Sequence, residues 1–200
     1  MRSLSIAILS SLEVLKIMKR IPLSFLFICA MLIFTSSVFG QTTEAAKNEA
    51  RIKTRDQLAQ LLEKAGPGIK VSFRQSAKQE FNMVGVLKDG ITNADSYEIV
   101  VGVSTDQTIG FRIFPHYKGA YINLNKVAHP DGLMRQLMLL NDRNFLFWGA
   151  DNSGDVFAGY TITLESGFPA EAVTIVLRSI ANLDPYVGQM KQNIESSPAQ

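Results

Sequence analysis

Asp151, Ser153 and Asp155 alternate along the chain as the first ligands of a calcium loop do, so they are the first residues to weigh for chemistry. An EF-hand loop also needs glycine after the third ligand and glutamate at its twelfth position. Val156 and Ile162 stand there instead, and the stretch reads as a hairpin turn. His116 and His129 are the two histidines, with no second imidazole at helical or strand spacing from either. A zinc site would have to borrow distant carboxylates, and loop or surface histidines are the simpler reading. No G-x-S-x-G elbow presents a serine nucleophile. Gly66-Pro67-Gly68 lacks the Lys-Ser/Thr that completes a phosphate loop. The expectation is a non-enzyme, with no catalytic residue, no metal site and no cofactor.

His129-Pro130-Asp131 repeats the tripeptide of J-domain co-chaperones, where it sits between two helices, the first of them basic. Here it follows the strand-like AYINLNKVA and precedes a Leu/Met-rich run, so a helix-start turn accounts for it. Cys29 is the single cysteine and lies in the leader described next. Phe27 and Ile28 before it do not suit lipidation. Without the leader the chain has no thiol, hence no disulfide, thiolate metal site or cysteine nucleophile.

Residues 1–40 read as an address. Met18-Lys19-Arg20 gives a positive start, residues 21–34 are uncharged and mostly apolar, and Val38 and Gly40 occupy the −3 and −1 positions before Gln41. That is the layout of a secretory signal peptide, with the true start expected at Met18 and cleavage after Gly40. An uncleaved anchor is the alternative, since residues 21–39 approach the ~20 needed to span a bilayer. The expected location is periplasmic or secreted, with no stable membrane span once the leader is removed. Four of the 20 basic side chains and one of the 18 acidic ones lie in the leader, leaving sixteen against seventeen. A net charge near −1 with no Lys/Arg stripe speaks against a nucleic-acid partner.

The elements follow from periodicity. Residues 41–53 are polar and Ala-rich, a linker or frayed helical lead. Thr54 and Gln57 match a capping box, Leu58, Leu61, Leu62 and Ala65 share a helical face, and Gly66-Pro67-Gly68 stops the helix. Residues 69–73, 81–87, 97–103 and 108–114 alternate as strands, with Pro115 ending the last and a short fifth at 120–124. No helical pattern between them could serve a parallel crossover, so the sheet is antiparallel. A Leu/Met helix follows from Leu133, then a hairpin at 144–150 and 156–164, then a helix from Pro169 that Asp184-Pro185 ends. The class is α+β, an antiparallel sheet with flanking helices in the order helix, three or four strands, helix, two-strand hairpin, helix. One domain covers residues 54–190, and residues 191–200 form a disordered tail.

Two apolar regions exceed what a small core needs. Met134, Met138 and Leu139 widen the Leu133, Leu137, Leu140 stripe around most of its helix, which suits either deep burial or a face for a second copy. In the hairpin, Phe147 and Trp148 point to opposite faces and interleave with Phe157 and Tyr160. Either helices cover both faces, which is the expectation, or one is a docking surface. The candidate binding residues are therefore Met134, Met138, Phe147, Trp148, Phe157 and Tyr160.

The run LMLLNDRNFLFWGADNSGDVFAGYTITLESGFPAEAVTIVLRSI resembles the C-terminal half of YbjN-domain proteins, which share the type III secretion chaperone-like fold. Asn141, residues 151–155 and Pro169-Ala170-Glu171 occupy the places where that family ends a helix, turns a hairpin and starts the last helix. Residues 54–66 and 69–73 are similar to its opening helix and strand. The resemblance implies an α+β domain, often dimeric, without known catalysis. Many relatives are cytoplasmic, whereas the leader points to export. The expected function is an exported non-enzymatic protein that binds a protein partner, or a second copy of itself, through apolar surfaces. The alternative is a small-ligand sensor of the cell envelope, with a pocket between sheet and helices.

Overall fold

The computed structural model describes residues 44–195; the leader with Cys29 and the Gly40 junction lies outside the described residues, as does the chain from residue 196. Helix α1 runs Glu44–Ala65, so the stretch read as a linker is helical from Glu44 onward. Thr54 lies in mid-helix, its hydroxyl turned back to the Ala50 carbonyl at 3.0 Å rather than capping an end. What holds the early turns is tertiary. Arg51 donates through Nε and Nη2 to the Val103 carbonyl at 2.9 and 2.7 Å, and its guanidinium lies 3.6 Å from the centre of the Phe81 ring. No local sequence rule could anticipate an anchor 52 residues away.

Gly66–Ile69 is a 3-10 turn that ends on Lys70 in the left-handed region. The strand expected at 69–73 is therefore delayed: Val71 is buried and Phe73 half-buried as the alternation requires, but ladder pairing starts only at β1, Arg74–Gln75. The remaining strands are β2 (Asn82–Leu87), β3 (Ser96–Val103), β4 (Thr108–Tyr117), β5 (Ala120–Tyr121), β6 (Phe147–Ala150) and β7 (Val156–Thr163). They form one antiparallel sheet in the order β1-β2-β3-β4-β7-β6, with β5 on the far end of β4. This is the α+β class read from the sequence. Pro115 does not end β4. It pairs with Tyr97, and its carbonyl accepts from the Ile122 amide on the side away from β3, so the donor proline lacks is not one the β3 ladder needs.

Register decides the two faces of the sheet. Met83, Val101, Phe111 and Tyr160 lie in one cross-strand row, and Ile99, Ile113, Ala158 and Trp148 in the next. All but half-buried Tyr160 are buried. On top of this inner face the helices lay down Leu58 and Leu62 of α1, Leu133, Leu137 and Leu140 of α2 (Pro130–Asn141), Val173, Val176 and Leu177 of α3 (Ala170–Ser179), and Val187 and Met190 of α4 (Asp184–Ile194). Each such side chain contributes about 1.5–3 kcal/mol relative to exposure.

Asp184-Pro185 starts a helix rather than ending one. Helix α3 gives way at Ile180–Leu183 to a 3-10 turn, and Asp184 keeps helical angles (φ −59, ψ −41), with Pro185 in the first turn of α4 where its missing N–H costs nothing. The Asp184 carboxylate, buried, accepts the amides of Thr92, Asn93 and Ala94 at 2.9 to 3.0 Å, together with the Thr92 hydroxyl and the Asn93 side-chain amide. Gly188, one turn on, lets this loop approach: a Cβ there would lie 2.7 Å from Asn93 Oδ1. Of the residues expected in a disordered tail, 191–194 belong to α4, whose end is tied to the start of α2 by His129 N–H to the Asn193 carbonyl at 2.9 Å.

Candidate functional site

The outer face of the same sheet carries Val84 and Val86 from β2, Glu98 and Val100 from β3, Arg112 and Phe114 from β4, Phe157 from β7 and Phe147 from β6. An antiparallel sheet with one solvated face should alternate apolar with polar. Here Val84, Val86, Val100, Phe114, Phe147 and Phe157 bring apolar side chains to that face among polar and glycine positions, and the core that joins all four helices includes none of these eight residues. All of them but Val86 line a shallow groove of ≈ 830 Å³ with Gly102, Gly110 and Thr161 in its floor and Arg51, Ser76 and Lys78 along one rim.

The groove wall is aromatic. Phe157 meets Phe114 at 5.7 Å and Phe147 edge-on at 5.9 Å, and Phe114 meets Tyr121 edge-on at 5.7 Å. The tip of the Phe147 ring lies over Gly159, where a Cβ would come within 2.6 Å of it, so glycine is what lets this ring fold onto the sheet. Arg112 places its guanidinium 5.0 Å from the Phe157 centroid. Glu98 accepts from the Tyr121 hydroxyl at 2.9 Å. Burial and that bond together push the Tyr121 phenol up to about 12, so it stays protonated at any physiological pH. The Tyr97 phenol is also raised, first by burial and then by the Asp184 charge. Its hydroxyl makes no hydrogen bond, which marks it as a core aromatic.

Of the six candidate binding residues, the structure brings Phe147 (43% exposed) and Phe157 (7%) together in the groove. Trp148 (3%) and Tyr160 belong to the inner side, so Trp148 packs the core and presents nothing to a partner. Phe145 leaves Phe147's face to stack on Tyr160 at 4.5 Å. Met134 and Met138 are exposed on α2 with Leu139, outside the groove. Coverage of both sheet faces was expected; among the described residues, helices cover one. The sequence reading missed Val84, Val86, Val100, Arg112 and Phe114. Their signal was present in the outward phase of strands whose inward phase alone was used.

The other motifs take structural roles. Asp151 Oδ1 accepts the amides of Ser153 and Asp155 at 2.8 and 3.0 Å, and Asn123 donates to Asp155 at 2.7 Å, which is a braced hairpin turn. His129 precedes α2 and Pro130 opens it. His116 packs edge-on against Tyr121 at 4.3 Å. Among the described residues no three His, Cys, Asp or Glu side chains gather as a metal site, and no helix is long and apolar enough to cross a membrane.

The two sheet edges offer a further strand little length to pair with. At β6 the Asn141 side chain, from the end of α2, accepts the Trp148 amide at 2.5 Å and donates to its carbonyl at 3.1 Å, doing what a neighbouring strand would do. At the other edge β1 has two residues.

No protein-family model and no curated protein sequence matches the chain. Among solved structures, YbjN from E. coli is similar to it with a TM-score of 0.46 and 16% identity, over 72% of this chain and 96% of YbjN. The ExsC–ExsE complex is similar with a TM-score of 0.39 and 16% identity, over 72% of this chain and 97% of that one.

Proposed function

We propose that this chain is an exported, non-enzymatic binding protein that takes a segment of a protein partner on the outer face of its sheet. The carrying observation is that Val84, Val86, Val100, Phe114, Phe147 and Phe157 form one apolar surface that no helix among the described residues covers. Contiguous apolar surface on a folded domain marks where another molecule docks. The near-neutral charge of the chain beyond its leader supports a protein rather than a nucleic acid as that molecule.

A photo-crosslinking amino acid placed at Val100, in cells, tests this. A discrete adduct with another protein is expected from Val100 and not from Lys64 on α1; equal adduct patterns from both positions would sink the reading. The same probe at Met138 addresses the second reading, self-association through α2, which the exposure of Met134, Met138 and Leu139 favours. Adducts of twice the chain mass from Met138 alone would shift the conclusion to a dimer.

Export rests on the Met18-to-Gly40 layout. N-terminal sequencing of the protein from the envelope fraction should begin at Gln41. Recovery of the chain in the cytoplasm with its leader intact would overturn this part.

A further inference from the structure

We infer that the segment accepted by the outer sheet face is an amphipathic helix whose apolar stripe carries one carboxylate, and that Arg112 receives that carboxylate. The inference rests on the reading above and adds the chemistry of the occupant.

The charge argument starts from what each ionic side chain in the groove is already doing. Arg51 is committed to the Val103 carbonyl and the Phe81 ring. Glu98 is the sole carboxylate among the lining residues, and it holds the Tyr121 hydroxyl. Arg112 is exposed in the middle of the sheet, across from Val100 on one side and Gly159 on the other. Its guanidinium carbon lies 5.0 Å from the Phe157 centroid, yet among the described residues it makes no hydrogen bond or ion pair. Glu98 lies one outward position away along the neighbouring strand and does not pair with it. A guanidinium stacked on an aromatic ring keeps its N–H edge pointing outward, in the fork that fits a carboxylate in two bonds. Lys78 on the rim adds to the same sign, so the groove lining has three cations to one anion.

The argument for a helix starts from hydrogen bonding. An extended segment gains affinity by pairing its backbone with a sheet edge. Both edges here are poor partners for a long segment, β6 because Asn141 occupies the Trp148 peptide groups and β1 because it has two residues. An extended chain laid across the apolar face would leave its own amides and carbonyls unpaired against Val and Phe. A helix brings its backbone bonds with it, and the inner face of this sheet is already covered by helices. The size agrees. Five strands at about 4.8 Å spacing span about 19 Å, and a helix with its side chains is about 10–12 Å wide. The floor at Gly110, where a Cβ would meet nothing within 4 Å, leaves room for a side chain of the stripe.

The test is fluorescence anisotropy with a labelled 18-residue peptide having leucines at helical spacing and one Glu at the centre of the stripe, beside versions with Gln or Lys there. The full chain without its leader is used as wild type, Arg112→Gln and Phe147→Ser, each checked for an unchanged thermal transition. The Glu peptide should bind wild type, and either Glu→Gln in the peptide or Arg112→Gln in the protein should weaken it roughly tenfold, with little further loss when both are made. Equal binding of the Glu and Gln peptides, still lost in Phe147→Ser, would overturn the carboxylate and leave the sheet-face reading standing. No binding of any peptide would overturn the helical occupant, while the Val100 crosslink separately decides the face. Binding indifferent to Phe147→Ser would sink both. Should Arg112→Gln fail to fold, the three peptides on wild type still decide whether a carboxylate is preferred.

Discussion

The two faces of one sheet are built from the same strands by the same alternation, and they end in opposite states. On β4, Ile109, Phe111 and Ile113 point inward and are almost wholly buried beneath four helices. Gly110, Arg112 and Phe114, interleaved with them, point outward and meet no helix among the described residues. The inner face uses its apolar area for stability. The outer face sets Val84, Val100, Phe147 and Phe157 among glycine, threonine and charged positions, and none of these four belongs to the core that joins the helices. The presence of large apolar side chains alone therefore does not tell core from surface. What distinguishes them is whether the rest of the chain supplies a complementary amphipathic stripe.

The contrast can be broken from either side. The largest effect belongs to the inner face: Phe111→Ala should cost about 3–5 kcal/mol, read by urea unfolding, because its neighbours from helices and strands cannot collapse into the space. A loss under about 1 kcal/mol would mean that the inner face is not the core.

Next comes the clamp that holds the loop before β3. Burial alone would push the Asp184 carboxyl up, but amides from Thr92, Ala94 and Asn93 and the Thr92 hydroxyl outweigh it and hold the group below its ordinary value. A carboxylate lowered on folding adds stability above its unfolded value, near 4, and loses it as pH falls through the lower folded value. Asp184→Ala should cost about 2–4 kcal/mol at neutral pH by leaving those donors unpaired, and should flatten the acid limb of the stability curve. An unchanged acid limb would place the pH sensitivity elsewhere.

The smallest stability effect sharpens the comparison most. Gly110→Val, next to Phe111 in sequence, puts a side chain into open groove. Stability should move by no more than about 0.5 kcal/mol, while the Val100 crosslink is lost. Loss of both together would show that the outer face is structural.

The sequence made the inner face legible because burial and period coincide there: Leu58, Leu62, Leu133, Leu137, Val173, Val176 and Leu177 sit at helical spacing, and all are buried. The outer face was half legible. Phe147 and Phe157 stood out as aromatics in a hairpin, but Val84, Val100 and Arg112 belong to strands distant in sequence, and only the register makes them neighbours. Thr54 and Asp184 misled for a related reason. A capping pattern and a pre-proline aspartate are local signals, and each was overruled by a partner far along the chain: the Arg51 anchor on Val103 for α1, and the loop at Thr92 for α4.

Asn141 gives the molecule a further property. A protein that keeps one broad greasy surface uncovered would be at risk of polymerising if its terminal strand could also recruit another copy. A single carboxamide occupies the Trp148 peptide group where an incoming chain would register. Ladder growth outward from β6 is thereby denied its first rung.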